Sequence, residues 1–130
     1  MTRERLLDLT RRFTEAFNRD DLEAVTAYFA EDAVYDEFHG ARHVGRAAIR
    51  AAFVPQFRGD FGRIRFETED VFADAEARRS LISWTCRFET PERAGSWRGL
   101  DLLVFDEEGR VRHKSTYAKT RAPRVEPAGA

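Results

Sequence analysis

From Thr2 to Asn18 the apolar residues Leu6, Leu9, Phe13, Ala16 and Phe17 recur at steps of three and four, the stripe that an amphipathic helix turns toward a core. Asn18-Arg19-Asp20-Asp21 supplies capping side chains. Leu22, Val25, Tyr28 and Phe29 then repeat the helical spacing, so a short second helix is predicted to run to about Glu31-Asp32 and to form a hairpin with the first. Ala33–Phe38 is β-branched and aromatic without helical spacing and reads as a short strand, broken by His39-Gly40 and followed by a turn. Ala47, Ala48, Ile49, Ala52, Phe53, Gln56 and Phe57 describe a third helix after Gly45, with Pro55 in its last turn and Gly59 and Gly62 closing it.

Beyond Gly62 the period changes from 3.6 to 2. Strands are predicted near 63–73, 78–89, 96–106 and 111–120, separated by Asp74-Ala75-Glu76, Pro91–Gly95 and Glu107-Glu108-Gly109. Helices first and a strand meander after is the α+β pattern, three N-terminal helices packed on one face of a curved antiparallel sheet. Residues 1–120 make one domain. The segment 121–130, with Pro123, Pro127 and Gly129 and few large apolar residues, is predicted to be a flexible tail.

Composition narrows the functional classes. One hundred and thirty residues organise a single core. Twenty-two basic against 23 acidic residues leave a net charge of −1, so no field gathers nucleic acid or anionic lipid, and neither is expected as a partner. No apolar run approaches the roughly 20 residues of a membrane span, and the charged start MTRERLLDLTRR does not resemble an export signal. A single cysteine, Cys86, inside an apolar segment fits a reducing, cytoplasmic setting. Only Lys114 and Lys119 among the basic residues are lysines, a skew read here as genome bias rather than phosphate recognition.

The order helix, helix, strand, helix, four strands resembles the nuclear transport factor 2-like superfamily, in its SnoaL-like and ketosteroid isomerase-like branch. Three stretches carry the resemblance: Phe17–Leu22 leading to Tyr28–Ala33, Gly45–Arg50, and Asp106–Val111 before the last strand. It spans about residues 4–120. It implies a cystatin-like α+β barrel with a cone-shaped pocket between sheet and helices, and a homodimer, but this architecture hosts many chemistries and some members with none.

Glu37 falls where the ketosteroid isomerases have their proton-shuttling Asp, four residues after Ala33. A carboxylate in an apolar pocket can take a proton from a carbon acid near neutral pH. Asp36 and Glu37 point to opposite faces of a strand, so one of them faces away from the pocket. Asp101 interrupts the apolar strand Trp97–Phe105 and coincides with the isomerases' oxyanion-hole Asp; it could donate to a developing oxyanion, act as the base of a cyclase-type reaction, or pair structurally with Arg87, Arg98 or Arg112. Where the isomerases have a helix-1 Tyr, this chain has Phe13, which cannot donate. One lost oxyanion donor typically costs on the order of 10²–10³ in rate, so Tyr35, Tyr117, Trp84 and His113 become candidate replacements.

Strand alternation places Ile82, Trp84, Cys86 and Phe88 on the concave face, and His113, Ser115 and Tyr117 on one face of the last strand opposite Lys114 and Thr116. The substrate-binding wall is therefore expected from Phe13, Phe17, Tyr35, Phe53, Phe57, Trp84, Cys86, Trp97, His113 and Tyr117, the same aromatic positions that would serve as plain core. His39 and His43 flank a loop glycine, which argues against a metal pair, and Cys86 lacks an activating neighbour. The superfamily's epoxide hydrolases use an Arg and two Asp, and their last-strand Asp has no counterpart in His113–Lys119. Taken together, the resemblance implies cofactor-free acid/base catalysis, of isomerase or cyclase type, on a small apolar carbonyl compound, with Glu37 and Asp101 as catalytic residues. A non-catalytic small-molecule-binding or dimerisation module of the same fold is the alternative.

Overall fold

The computed structural model describes residues 1–119 and 127–129; most of the expected tail lies outside them. Helix α1 spans Arg3–Phe17 and is capped by the Thr2 hydroxyl, which accepts from the Arg5 amide; α2 spans Leu22–Ala27, capped by Asp21. Strand β1 covers Phe29–Asp36 and β2 covers Arg42–Val44. Helix α3 (Arg46–Arg58) ends on left-handed Gly59 and accommodates Pro55 in its last turn. Strands β3 (Arg63–Asp74), β4 (Arg79–Glu89), β5 (Ala94–Phe105) and β6 (Val111–Lys119) follow.

The α+β class holds, with three helices on a six-stranded sheet of order β2-β1-β6-β5-β4-β3. Two expectations change. The curved sheet is mixed rather than wholly antiparallel, and it does not close: β1 and β6 run parallel, because α3 and the β3–β5 meander form the long crossover that a parallel pair requires, and among the described residues β2 and β3 are the edges. The second helix also stops earlier than its spacing predicts. The Tyr28 carbonyl accepts from the Val111 amide instead of continuing the helix, so Phe29 to Asp32 enter β1, and His43 and its neighbours form β2 where only a turn was expected.

Leu6, Phe13, Phe17, Val25, Phe29, Ile49 and Phe53 form the core between helices and sheet, with edge-to-face ring pairs such as Phe13–Phe29 at 5.3 Å. A buried Thr10–Ser80 hydroxyl contact of 2.7 Å joins α1 to β4. The Arg46 guanidinium donates twice to the Phe29 carbonyl, at 2.8 and 3.0 Å, where the β1–β6 register is interrupted. That bond holds the start of α3 against β1 and leaves the helix end to rise over a gap above the sheet.

Candidate active site

The gap is a cavity of about 720 Å³ bounded by α1 and α3 on one side and the concave faces of β1, β3, β4, β5 and β6 on the other. Glu37 and Asp101 both line it. So do Phe17, Tyr35, Phe53, Trp84, Cys86 and Trp97. The expected alternation in β4 is observed, with Ile82, Trp84 and Cys86 buried and Arg87 exposed.

Four expected wall residues lie elsewhere. Phe13 is fully buried beneath the cavity, locked between Phe17, Tyr28 and Phe29. Phe57 packs on the far side of Phe17 and opens onto a separate, smaller cleft near Gly59. His113 and Tyr117 are on the opposite face of the sheet: His113 Nε2 is 2.7 Å from Asp36 Oδ2, and Tyr117 is 54% exposed. The cause is one extra residue. Phe105 pairs with Val111 but Val104 pairs with His113, so Arg112 is a bulge, and the alternation of β6 inverts beyond it. Lys114 and Thr116 therefore point inward.

Those two residues build the cavity floor. Thr116 is the cross-strand partner of Asp101, and Lys114 the cross-strand partner of Tyr35. Asp101, 5% exposed, accepts at Oδ1 from Thr116 Oγ1 at 2.6 Å and from Lys114 Nζ at 3.0 Å, and at Oδ2 from Trp84 Nε1 at 3.3 Å. Lys114 Nζ also donates to Thr116 Oγ1 at 2.6 Å and lies 4.5 Å from the centre of the Tyr35 ring. None of the expected arginines is involved, since Arg87 pairs with Glu67 and Arg98 with Glu69 on the outer face. Three donor groups, one of them the Lys114 ammonium, thus converge on the Asp101 carboxyl group.

Burial, the largest single influence, works against the charge on Lys114, but Asp101, Tyr35 and Glu37 together outweigh it and the ammonium is held above its ordinary range. Burial also raises the Tyr35 phenol, which remains a neutral hydroxyl, and pushes the Cys86 thiol up to about 12, leaving it an inert wall residue. Trp84 reaches Asp101 because Gly99 lies under its ring: a Cβ there would stand 2.6 Å from the indole and 2.5 Å from the Tyr117 carbonyl.

Nearer the mouth, Glu37 is gripped by two histidines, His43 Nε2 at 2.8 Å from Oε1 and His39 Nε2 at 2.5 Å from Oε2. The Ala41 amide points at His39 Nδ1 at 3.4 Å, which favours the tautomer that donates through Nε2. The His39–His43 pair thus converges on a carboxylate. Among the described residues no group of three or more His, Cys, Asp or Glu side chains is arranged to hold a metal ion. Asp36, one position before Glu37, faces the outside and is bound by Arg42 and His113, as the opposite-face rule for a strand requires. Phe38 and Phe61, each at least half exposed, form an apolar rim.

Lys114 and Thr116 were missed from the sequence. The detectable signal was the lysine itself, one of two among 22 basic residues, within a strand that shows no apolar alternation from Arg112 to Thr116. Tyr35, Trp84 and Asp101 are legible in the sequence as candidates, but the Trp84–Asp101 contact and the place of Tyr35 against Lys114 are not.

A family model of the SnoaL-like domain matches residues 10–114. Among curated proteins none matches the chain. Of solved structures, a polyketide cyclase candidate from Xanthomonas campestris pv. campestris is 27% identical, over 88% of this chain and 90% of that one, with a TM-score of 0.76. A nuclear transport factor 2-like protein of unknown function from Mesorhizobium loti is also 27% identical, covering 90% and 93%, TM-score 0.73. SalBIII, an epoxide hydrolase/cyclase-like enzyme in pyran ring formation in the polyether salinomycin, is similar in fold at 16% identity, covering 89% and 92%, TM-score 0.78.

Proposed function

The chain belongs to the SnoaL-like domain family, and from that premise we propose that it is a cofactor-free acid/base catalyst, of isomerase or cyclase type, acting on a small apolar carbonyl compound. One observation carries the reading: Glu37, just past the end of β1, and Asp101, in the middle of β5, open into one aromatic-walled cavity of about 720 Å³. A cavity of this size takes a ligand of one or a few rings, and Phe17, Phe53 and Trp97 offer it faces and edges to stack on. Glu37 is the proton-moving group. Both its oxygens are already oriented by His39 and His43, so its carboxylate meets the ligand with a fixed direction. Asp101 is the second functional carboxylate, placed deeper and tied to the floor.

The ligand is a small apolar molecule, without nucleic acid or a membrane as partner; no helix among the described residues is long and apolar enough to cross a bilayer. The setting is cytoplasmic, in keeping with a lone buried Cys86. The working unit is a homodimer, formed through the outer face of the sheet.

The test is exchange of α-protons. Aryl methyl ketones and cyclic ketones sized to the cavity are incubated with the protein in D₂O, and loss of the α-proton signal is followed by NMR. Wild type accelerates exchange over buffer, and Glu37→Gln removes that acceleration, by on the order of 10²-fold or more. Ketones that bind while wild type and Glu37→Gln exchange them equally slowly would establish the non-catalytic binding module instead.

A further inference from the structure

We infer that Lys114 is the group a ligand's carbonyl oxygen meets, so that its ammonium, held in place by Asp101, supplies the oxyanion stabilisation for which Phe13 has no hydroxyl. The inference rests on the proposed acid/base function and names the orientation of its substrate: carbonyl oxygen toward the floor, α-carbon toward the mouth and Glu37.

Position reduces the donors facing the cavity to the neutral Tyr35 hydroxyl and the Lys114 ammonium, since Trp84 Nε1–H is committed to Asp101, and His113 and Tyr117 lie on the other face of the sheet. Of the two, the charged ammonium is the stronger donor to a developing oxyanion. Asp101 accepts from three donors. Lys114 lines the cavity, and its ammonium carries three N–H donors. Two are taken, by Asp101 Oδ1 and Thr116 Oγ1. The third has no hydrogen-bond acceptor among the described residues and is left with the Tyr35 face 4.5 Å away. A carbonyl oxygen is a better acceptor for it than a ring face.

The charge balance also favours this direction of binding. Before reaction the cavity holds Lys114 as a cation, Asp101 as its partner, and Glu37 as the mobile negative charge, beside the titratable His39, His43 and Tyr35. In the proposed step the α-C–H bond breaks, its proton passes to a Glu37 oxygen, the electron pair forms the C=C bond of an enolate, and the carbonyl oxygen takes the negative charge. The net charge of the cavity does not change. The charge moves from the mouth to a site beside a fixed ammonium in an apolar enclosure, where such a donor is worth more than in water. Return of the proton from Glu37 to carbon, at the same or a conjugated position, closes the reaction. Asp101 is by this argument a positioning residue: its bond to Nζ, shared with Thr116, directs the remaining N–H into the cavity.

The test uses 2-acetylnaphthalene carrying ¹³C at the carbonyl, bound to the purified full chain, and reads its C=O stretch by infrared difference spectroscopy alongside α-proton exchange. Removing Lys114 alone strands a buried carboxylate, so the variant is the double replacement Lys114→Met with Asp101→Asn; Lys114→Arg serves as the conservative rescue. Wild type and Glu37→Gln are expected to shift the C=O stretch to lower wavenumber than the double variant does, and Lys114→Arg to retain most of that shift. The exchange kcat of the double variant falls on the order of 10²–10³-fold while KM changes little. An identical C=O stretch in wild type and double variant, or an unchanged kcat, overturns the inference even if Glu37→Gln abolishes exchange. A wild-type shift that depends on Lys114 without any Glu37-dependent exchange sustains the carbonyl-binding assignment and overturns only the catalytic reading. Failure of the ketone to bind at millimolar concentration overturns it outright.

Discussion

Replacing Lys114 alone by methionine leaves the Asp101 carboxylate buried with Trp84 and Thr116 but without its counter-charge. Breaking one side of a buried pair in this way costs roughly 3–5 kcal/mol, whereas replacing both partners is far cheaper. Urea unfolding followed by tryptophan fluorescence should therefore rank the proteins wild type, double variant, Lys114→Met, with the single variant least stable. The outer-face carboxylates respond to acid. Hydrogen bonds from Arg42, then His113, hold Asp36 down to about 2 from 3.8, and bonds from Arg98, then Thr85, hold Glu69 down to about 2 from 4.5. Each folded value lies below the unfolded one, so the stabilisation is complete above about 4.5 and is lost as pH falls toward 2. Both sites are open to solvent, and the effect is small and weakened by salt. Asp36→Asn with Glu69→Gln should flatten the decline of the urea midpoint between pH 4.5 and 2.5; an unaltered decline would assign it to other carboxylates.

Element geometry decides which of these residues meet. Alternation along β4 was legible in the sequence because Ile82, Trp84 and Cys86 contrast with Ser83, Thr85 and Arg87, and no bulge disturbs its pairing with β5. In β6 the same rule, applied from Val111 onward, exchanged the two faces, since a bulge at Arg112 is a pairing property and leaves no mark in composition. The carboxylates Glu37 and Asp101 are picked out by the resemblance to the isomerases, while Lys114 and Thr116, which alternation assigns to the other face, are not. The early end of α2 has the same origin: Tyr28 and Phe29 continue a helical spacing, and a long-range bond to Val111 overrides it. Gly99 shows how tightly β5 and β6 are set. A methyl there meets the Tyr117 carbonyl at 2.5 Å and the Trp84 ring at 2.6 Å, so Gly99→Ala should cost roughly 1–3 kcal/mol by overpacking. Because the displaced ring carries the donor to Asp101, the indole emission should shift as well; a neutral, spectroscopically silent Gly99→Ala would show that β5 can slide.

Among the described residues, helices cover only one face of this sheet. On the other, Leu81 is paired with Leu102 and also with Phe72, while Leu100 is paired with Tyr117, so the side chains of β3 to β6 form a continuous apolar patch. Leu81, Leu100 and Leu102 are half-buried; Phe72 and Tyr117 are more than half exposed. The ion pairs Arg98–Glu69 and Arg87–Glu67 border it, a polar rim around an apolar centre. A sheet apolar on both faces is stable in water once a second layer covers the exposed one, and a two-fold related copy supplies the same patch and the same rim. The proposed homodimer therefore uses this face and leaves the cavity mouth, on the helix side, accessible from both protomers. Light scattering on the eluting peak should give twice the 15.0 kDa chain mass at micromolar concentration. Leu102→Glu, which puts a charge at the patch centre without touching the cavity, should halve that mass while ketone binding persists. A wild-type monomer, or a Leu102→Glu protein that remains dimeric, would remove the outer face from the assembly.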